Sequence, residues 1–356
     1  MDQSTTIGHA MLDITLAICA YNAQRRLPTA LEAAARQSAA GIGWEVLVVD
    51  NNSADATAAT AQQMGQTLGL PLRVVHEPES GLAAARRRAA VEARGRYLSY
   101  VDDDNLVEPD WAEQCVMFLD EHPRCGVVGG RIDPLFEDPA ARPQDFAEHF
   151  AMALAIRDFG PQARQLIPPA DDPPCGAGMT GRTDVFRQVL CDIGLALSGR
   201  KGKRLSSGED TEIGLLIHRL GWEMWYTPTL RMSHVLPNSR LTHQYLQRLI
   251  AGGAQSAAWL DYLRGKQPRC SRIAALGRYL RRRFQSLQMT LLQQLRPRHP
   301  HATKYPAWAA QYKGEAAGYL DMALHDPAGR LERSLRRLGG ASAATTAAAV
   351  AGTESL

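Results

Sequence analysis

The chain has 356 residues, 45% of them apolar and 22% charged, with a formal net charge of +3 at pH 7. This is ordinary globular composition, enough for one large domain or two of usual size, and it allows a sizeable core. The charge is too even to argue for nucleic-acid binding over the whole chain, and no apolar run approaches the roughly 20 residues a membrane-spanning helix needs. The basic residues are nonetheless uneven and cluster late, between Arg264 and Arg298. The six cysteines (Cys19, Cys115, Cys125, Cys175, Cys191 and Cys270) form no CxxC pair and no zinc spacing, so they read as reduced thiols of a cytosolic protein. The opening "MDQSTTIGHAMLD" has no basic stretch followed by an apolar one, so no signal peptide is expected.

In chain order, strand and helix signals alternate over the first 130 residues or so. "DITLAICAY" (Asp13–Tyr21) is an apolar run of strand length, and "LPTALEAAARQ" follows as a helix with Pro28 in its first turn. "WEVLVVD" (Trp44–Asp50) is a second buried strand, and "SADATAATAQQMGQTLG" a helix with Ser53 as its cap. "LRVVHEP" is the third strand, and "GLAAARRRAAVEARG" a helix closed by Gly95. "RYLSYVD" and "EPDWAEQCVMFLDEH" are the fourth pair. Such repetition predicts an α/β fold with a doubly wound, mostly parallel sheet, which binds ligands beyond the carboxyl ends of its strands. Asp50 and the triplet Asp102–Asp104 fall at two such ends.

Beyond the fourth helix the pattern changes. "CGVVGGRIDPLF" (Cys125–Phe136) is a further strand, and Glu137 to Pro174 read as irregular. A Gly-rich turn and helix follow in "GAGMTGRTDVFRQVL", then a helix in "GEDTEIGLLIHRLG" with Ile213, Leu216, Ile217 and Leu220 on one face, then a strand in "WEMWYTPTLRMSHV". From about Thr242 the chain reads helical. Between Arg272 and Arg296, apolar residues recur at Ile273, Leu276, Leu280, Phe284, Leu287, Leu291 and Leu295, all in steps of three or four. Two placements are open for that face: packed on the preceding α/β domain, the commoner outcome for such a helix, or resting on anionic lipid. The final "GGASAATTAAAVAGTESL" is of low complexity and expected to be disordered.

Three positions carry chemistry. Carboxylates spaced one apart at a strand end can present oxygens to one hard cation, although an acidic triplet alone is more often a solvated turn. In "SSGEDTEIG", Glu209 and Asp210 open a helix; they suit either its dipole or a general base for an attacking hydroxyl. His234, after the last strand, is a candidate metal ligand through a neutral ring nitrogen, against the commoner structural role of a lone histidine.

With these pieces in place, the sequence resembles a family-2 glycosyltransferase of the GT-A fold. The matching segments are "AICAYNAQRRLPTALEAAARQ", "EVLVVDNNSADAT", "ESGLAAARRRAAVEARGRYLSYVDDDN", "CGAGMTGRTDVF" and "GEDTEIGLLIHRLGW", in the family's order, over roughly Asp13 to Asn238. The resemblance implies an inverting, metal-dependent enzyme that moves one sugar from a nucleotide-diphosphate donor, a UDP-sugar first, to a saccharide, lipid-linked or other hydroxyl acceptor in polysaccharide or glycoconjugate synthesis. It implies that Ala20, Tyr21 and Asn22 line the nucleotide base, that Asp50 reads its edge by hydrogen bonding, with Asn52 in the same donor-binding loop, and that Gly81, Ala85 and Arg86 lie against ribose or phosphates. It further implies Asp102, Asp104 and His234 for Mn²⁺ or Mg²⁺, Asp103 for ribose or sugar, and Asp210 as the base with Glu209 beside it. Arg87 and Arg88 read as a solvated helix face.

The corresponding organisation is a flexible start (1–12), a GT-A catalytic domain (13–240) with a nucleotide-sugar half (13–130) and an acceptor half (131–240), a helical region (241–338) and a tail (339–356). No Q-x-x-R-W motif of polymer synthases is present; "HQYLQRLIAGGAQSAAW" is a loose echo, so single-sugar transfer is expected. A sugar-nucleotide pyrophosphorylase would want a Gly-rich N-terminal loop that "AICAYNAQRRL" lacks; a non-catalytic nucleotide-sugar-binding module stays open. The expected location is the cytoplasm, with peripheral membrane contact through 272–296 as the second placement of that helix.

Overall fold

The computed structural model describes residues 12–200, 207–266, 271–295 and 304–338. The expected flexible start, apart from residue 12, and the whole expected tail lie outside the described residues. Nine strands form one mixed sheet: β1 (Leu12–Ala20), β2 (Trp44–Asp50), β3 (Leu72–His76), β4 (Gly95–Asp102), β5 (Asn105–Val107), β6 (Cys125–Phe136), β7 (Arg164–Leu166), β8 (Thr180–Arg182) and β9 (Glu223–Leu236). Their order is β3-β2-β1-β4-β8-β6-β9-β5, with β7 also on β9. The first four run parallel, as does the β6–β9 pair, while β5, β7 and β8 run antiparallel to their neighbours.

Alternate residues of the central strands feed two cores. Ile14, Leu16 and Ile18 of β1 and Val46 and Val48 of β2 enter one, while Ala17, Leu47 and Val49 enter the other. A period of two sends neighbours to opposite faces, and an unbroken apolar run is what a strand covered on both faces requires. On the first face lie α1 (Leu27–Ala35), α2 (Thr57–Leu68) and α4 (Trp111–Glu121). On the second lie α3 (Leu82–Glu92), α5 (Thr183–Arg187), α6 (Glu209–Arg219) and α8 (Ala257–Leu263), the last of these following α7 (His243–Ala254).

Two boundaries differ from the sequence expectation. Gly95 does not close α3; it opens β4, where a side chain would come within 2.5 Å of the Ile14 and Thr15 backbone. Ser53 does not cap α2, which begins at Thr57; its amide instead donates to Asp50 Oδ1 (3.3 Å), and Asp55 Oδ1 accepts from the Thr57 amide (3.1 Å). The segment after Glu137, read as irregular, contains short helical turns and β7.

The C-terminal helices form a separate layer. α9 (Arg272–Leu295) packs along α10 (Tyr305–His325), which in turn contacts α7 and α8. The commoner placement of the α9 apolar face is not the one observed: the side chains from Ile273 to Leu295 on that face are exposed, from 47% at Leu276 to 85% at Ile273. The opposite side of the helix makes the contact. Ala275 and Ser286 are buried, Ser286 Oγ donates to the Ala309 carbonyl (2.9 Å), and the Arg278 and Arg282 guanidiniums lie over the rings of Tyr319 and Tyr312 (5.6 and 5.3 Å). No helix among the described residues is long and apolar enough to cross a membrane.

Candidate active site

The carboxyl ends of β1, β2 and β4, the start of α3, the turn before β8, the start of α6 and the end of β9 enclose a cleft of about 460 Å³. Of the residues singled out in the sequence, Ala20, Tyr21, Gly81, Ala85 and Arg86 line it, as do Asp102, Asp103, Asp104, Glu209, Asp210 and His234. Asn22, Asp50 and Asn52 do not. Asn22 and Asn52 hold left-handed backbone turns (φ 46° and 57°); Asn22 Oδ1 accepts from the Ala54 amide (2.8 Å), and Asn52 Nδ2 donates to Ser80 Oγ (3.3 Å). Asp50 is buried, with Oδ2 at 3.5 Å from His76 Nδ1. Its neighbour Asn51, which the sequence reading passed over, reaches the cleft instead and fixes the loop before α3 by donating to the Glu79 carbonyl (2.6 Å) and accepting from the Gly81 amide (2.8 Å).

Each of the three aspartates has its own partners. Asp103 accepts a two-pronged bond from Arg26, Nε to Oδ1 at 3.0 Å and Nη2 to Oδ2 at 2.9 Å. Burial, with Asp104 and Asp102 alongside, pushes its carboxyl up to about 6 despite that fork. Asp104 Oδ2 pairs with Arg240 Nη1 at 2.9 Å, and its Oδ1 lies 3.5 Å from His234 Nε2. Burial opposes its ionisation, but the contacts with His234 and Arg240 outweigh it and hold the carboxyl well below the usual carboxylate range. Burial raises Asp102, and Arg86 works in the opposite sense.

His234 is buried on β9, paired in register with Asn105 of β5. Its Nδ1 lies 2.9 Å from the Leu154 carbonyl, which can only accept, so Nδ1 carries the proton. Arg240 Nη1, which can only donate, lies 3.2 Å from Nε2. Nε2 faces both Arg240 Nη1 and Asp104 Oδ1. A ring nitrogen and a carboxylate oxygen thus converge as two donors that could hold a divalent cation. No group of three His, Cys, Asp or Glu side chains suited to a metal occurs among the described residues. Two protein donors are what an ion shared with substrate phosphates and water asks for. In this structure the Arg240 guanidinium supplies the positive charge between them.

Beneath the cleft, Arg86 is 2% exposed and donates Nη1 to Glu209 Oε1 at 3.0 Å. Gly176 makes that position possible, since a Cβ there would lie 1.9 Å from Arg86 Nη2. Burial works against the guanidinium charge, and Glu209, Asp102 and Asp210 more than restore it. Burial likewise raises Glu209, against Arg86. Glu209 is thereby tied to Arg86, whereas Asp210 is oriented by backbone: the Gly176 amide donates to Oδ2 (2.8 Å) and the Thr211 amide to Oδ1 (2.7 Å). Arg87 and Arg88 pair with Glu79 (2.6 Å) and Glu92 (2.9 Å) outside the cleft. Arg26, Arg200 and Arg240 line the cleft and were not singled out in the sequence. Arg26 lies within the first of the matching segments, Arg200 in a loop and Arg240 at the end of a short 3-10 turn, and only the fold brings Arg26 and Arg240 to the aspartates.

Residues 15–190 match the model of glycosyl transferase family 2. EpsH of Bacillus subtilis is 31% identical over 101 residues, 28% of this chain and 28% of that protein. The poly(ribitol-phosphate) beta-N-acetylglucosaminyltransferase TarS of Staphylococcus aureus is 25% identical over 112 residues, 32% of this chain and 20% of its own length. The matches therefore span less than a third of either relative. Among solved structures, the mannosyltransferase PcManGT of Pyrobaculum calidifontis, in complex with GDP-Man and Mn²⁺, is 17% identical, covers 97% of this chain and 80% of its own, and superposes with a TM-score of 0.51. Through residues 15–190 the chain belongs to glycosyl transferase family 2, on the GT-A fold.

Proposed function

We propose that the protein transfers one sugar from a nucleotide-diphosphate donor to an acceptor hydroxyl with inversion at the anomeric carbon, in the building of a polysaccharide or other glycoconjugate. The observation that carries this reading is the meeting in one cleft of Asp102–Asp104, at the carboxyl end of β4, with Asp210, in the first turn of α6. Asp210 is the base. Its two backbone bonds fix the carboxylate without consuming all its lone pairs, so it can accept the acceptor's proton as the oxygen attacks. The new bond forms at the anomeric carbon as the bond to the diphosphate oxygen breaks on the opposite side, which inverts that carbon and needs no sugar–enzyme intermediate.

Asp104 and His234 are the residues that would hold Mn²⁺ or Mg²⁺, with Asp102 beside them. When bound, such an ion supplies electrostatic stabilisation of the charge gathering on the departing diphosphate. A protein of the same fold is known in complex with GDP-Man and Mn²⁺, which supports this reading. Arg200 and Arg240 add fixed positive charge to the same cleft, and Asp103, steadied by Arg26, is placed for ribose or sugar hydroxyls. Tyr21, 45% exposed, offers an aromatic face for the nucleotide base. A UDP-sugar is the first donor to test.

The test is a panel of UDP-, GDP- and dTDP-sugars, with Mg²⁺, Mn²⁺ or chelator, read as nucleoside diphosphate released with and without candidate acceptors. One donor class should turn over and lose that turnover in chelator. Asp104→Ala should lower metal-dependent donor affinity by at least about tenfold, as loss of a charged ligand to the ion predicts. Turnover of no donor, or unchanged donor binding in Asp104→Ala, would overturn the reading.

A further inference from the structure

The outward face of α9 is the largest feature that the active site does not use. Its seven large apolar side chains, from Ile273 to Leu295, form one exposed stripe on a 24-residue helix, about 36 Å long at 1.5 Å per residue. Stripes of this size are rare on soluble surfaces without a partner. At 100° per residue, Arg272 and Arg283 fall along one edge of the stripe and Arg281 along the other, and all three are exposed. The helix contains no Asp or Glu. From Tyr262 to Gly314 the chain has twelve Lys or Arg and no acidic residue, so the remainder of a chain with net charge +3 is net acidic.

We propose that this face of α9 docks on an anionic lipid surface, lying in the plane of the interface. An apolar stripe edged by arginines, with the charges kept at headgroup level, is the pattern of an interfacial amphipathic helix. The packing supports that orientation. The Arg278 and Arg282 side is held against α10 through Tyr319, Tyr312 and Glu315, so the helix is fixed with its apolar face outward rather than left to rotate. Basic charge near the headgroups adds attraction to anionic lipid. A second copy of the chain is the rival occupant. A two-fold pairing of this face would bring the edges carrying Arg272, Arg281 and Arg283 against those of the other copy, with no carboxylate on either helix to answer them. The charge therefore favours lipid.

The test uses the full chain and vesicles of phosphatidylcholine alone or mixed equally with phosphatidylglycerol, read by co-sedimentation. The chain should partition to the mixed vesicles at least about tenfold more strongly than to phosphatidylcholine, and high salt should weaken it. Leu280→Gln with Phe284→Gln should abolish binding, and Arg281→Gln with Arg283→Gln should reduce it while keeping the helical circular dichroism of the parent. Failure to bind the mixed vesicles, equal binding to both vesicle types, or binding indifferent to both double substitutions would overturn the proposal. So would a concentration-dependent dimer, seen by sedimentation velocity, that Leu280→Gln with Phe284→Gln dissociates. None of these readouts depends on turnover, so they leave the catalytic reading to its own test.

Discussion

Helices α6 and α9 repeat apolar residues at the same steps of three and four, yet Ile213, Leu216 and Ile217 of α6 are at most 1% exposed whereas Ile273, Leu280 and Phe284 of α9 are at least 60% exposed. Periodicity reveals that a helix has a face; it does not say which face the fold will cover. In α6 the apolar face enters the core under the sheet, which leaves its first turn free to present Glu209 and Asp210 to the cleft. In α9 the buried contact is made by Ala275, Ser286 and two arginines stacked on tyrosines, and the apolar face is left over. Arginine makes this possible, because its stem packs and its planar head lies flat on an aromatic ring.

The sharpest contrast between the two helices is catalytic. Asp210→Asn keeps the shape of α6 and removes the proposed base, so turnover should fall by about 10² to 10⁴. Donor affinity should stay near that of the parent. Leu280→Gln with Phe284→Gln on α9 should leave turnover on a soluble acceptor unchanged. Steady-state kinetics beside donor binding by calorimetry checks both; an active Asp210→Asn protein would remove that residue from the mechanism.

Stability separates them next. Ile217→Ala opens a cavity in a packed core and should cost about 2–5 kcal/mol. Leu280→Ala, at an exposed position, should change stability by less than about 0.5 kcal/mol. Urea unfolding of the two proteins measures the difference, and similar losses would mean that α9 buries its stripe in solution.

Much of this contrast was hidden from the sequence, for identifiable physical reasons. β1 to β4 and the helices between them were legible because unbroken apolar runs of strand length have few other uses. Gly95 misled because a glycine after a helix usually ends it, whereas this one is needed where two strands approach closely. β5, three residues long, is too short to show a period. Asp102–Asp104, Glu209, Asp210 and His234 could be read as candidates because their residue types and flanks are distinctive. Arg26 and Arg240 could not, since each meets its carboxylate only through the fold, Arg26 across 77 positions.

The pH dependence of stability should also lie with α6. Glu212, 1% exposed, accepts from the Ala196 and Leu197 amides (both 2.8 Å) and from Trp259 Nε1 (2.7 Å), which ties α6 to α8. Burial pushes its carboxyl up to about 7 from an ordinary value near 4.5, against those three donors. Between these values the folded chain keeps a proton that the unfolded chain has released. The resulting stabilisation is full below pH 4.5 and is lost as pH rises through 7, up to about 3 kcal/mol for this one group. Asp103 and Glu209, also raised by burial, add slopes of the same sign, while Asp104 and Glu45, held low, add the opposite one, so the quantity to measure is the difference between the parent and Glu212→Gln. Denaturant unfolding from pH 5 to 8 should show a smaller fall in the variant, and parallel profiles would rule out Glu212 as a source.

The smallest effect lies within α9, in three consecutive arginines. Arg281 and Arg283 edge the exposed stripe, while Arg282 faces α10, with Nε 2.7 Å from Glu315 Oε2 and its guanidinium over Tyr312. Arg282→Ala removes a stacked cation and leaves Glu315, whose side chain is 13% exposed, without that charge, so it should cost about 1–2 kcal/mol. Arg281→Ala, a step of 100° around the helix, should cost less than about 0.5 kcal/mol. The order should reverse for lipid. Arg281→Ala should weaken vesicle binding at low salt, whereas Arg282→Ala should weaken it only as far as it loosens α9 from α10. Unfolding and co-sedimentation on the same two proteins decide the matter: if both substitutions cost stability equally, α9 is not anchored through Arg282, and the outward placement of its apolar face loses its physical cause.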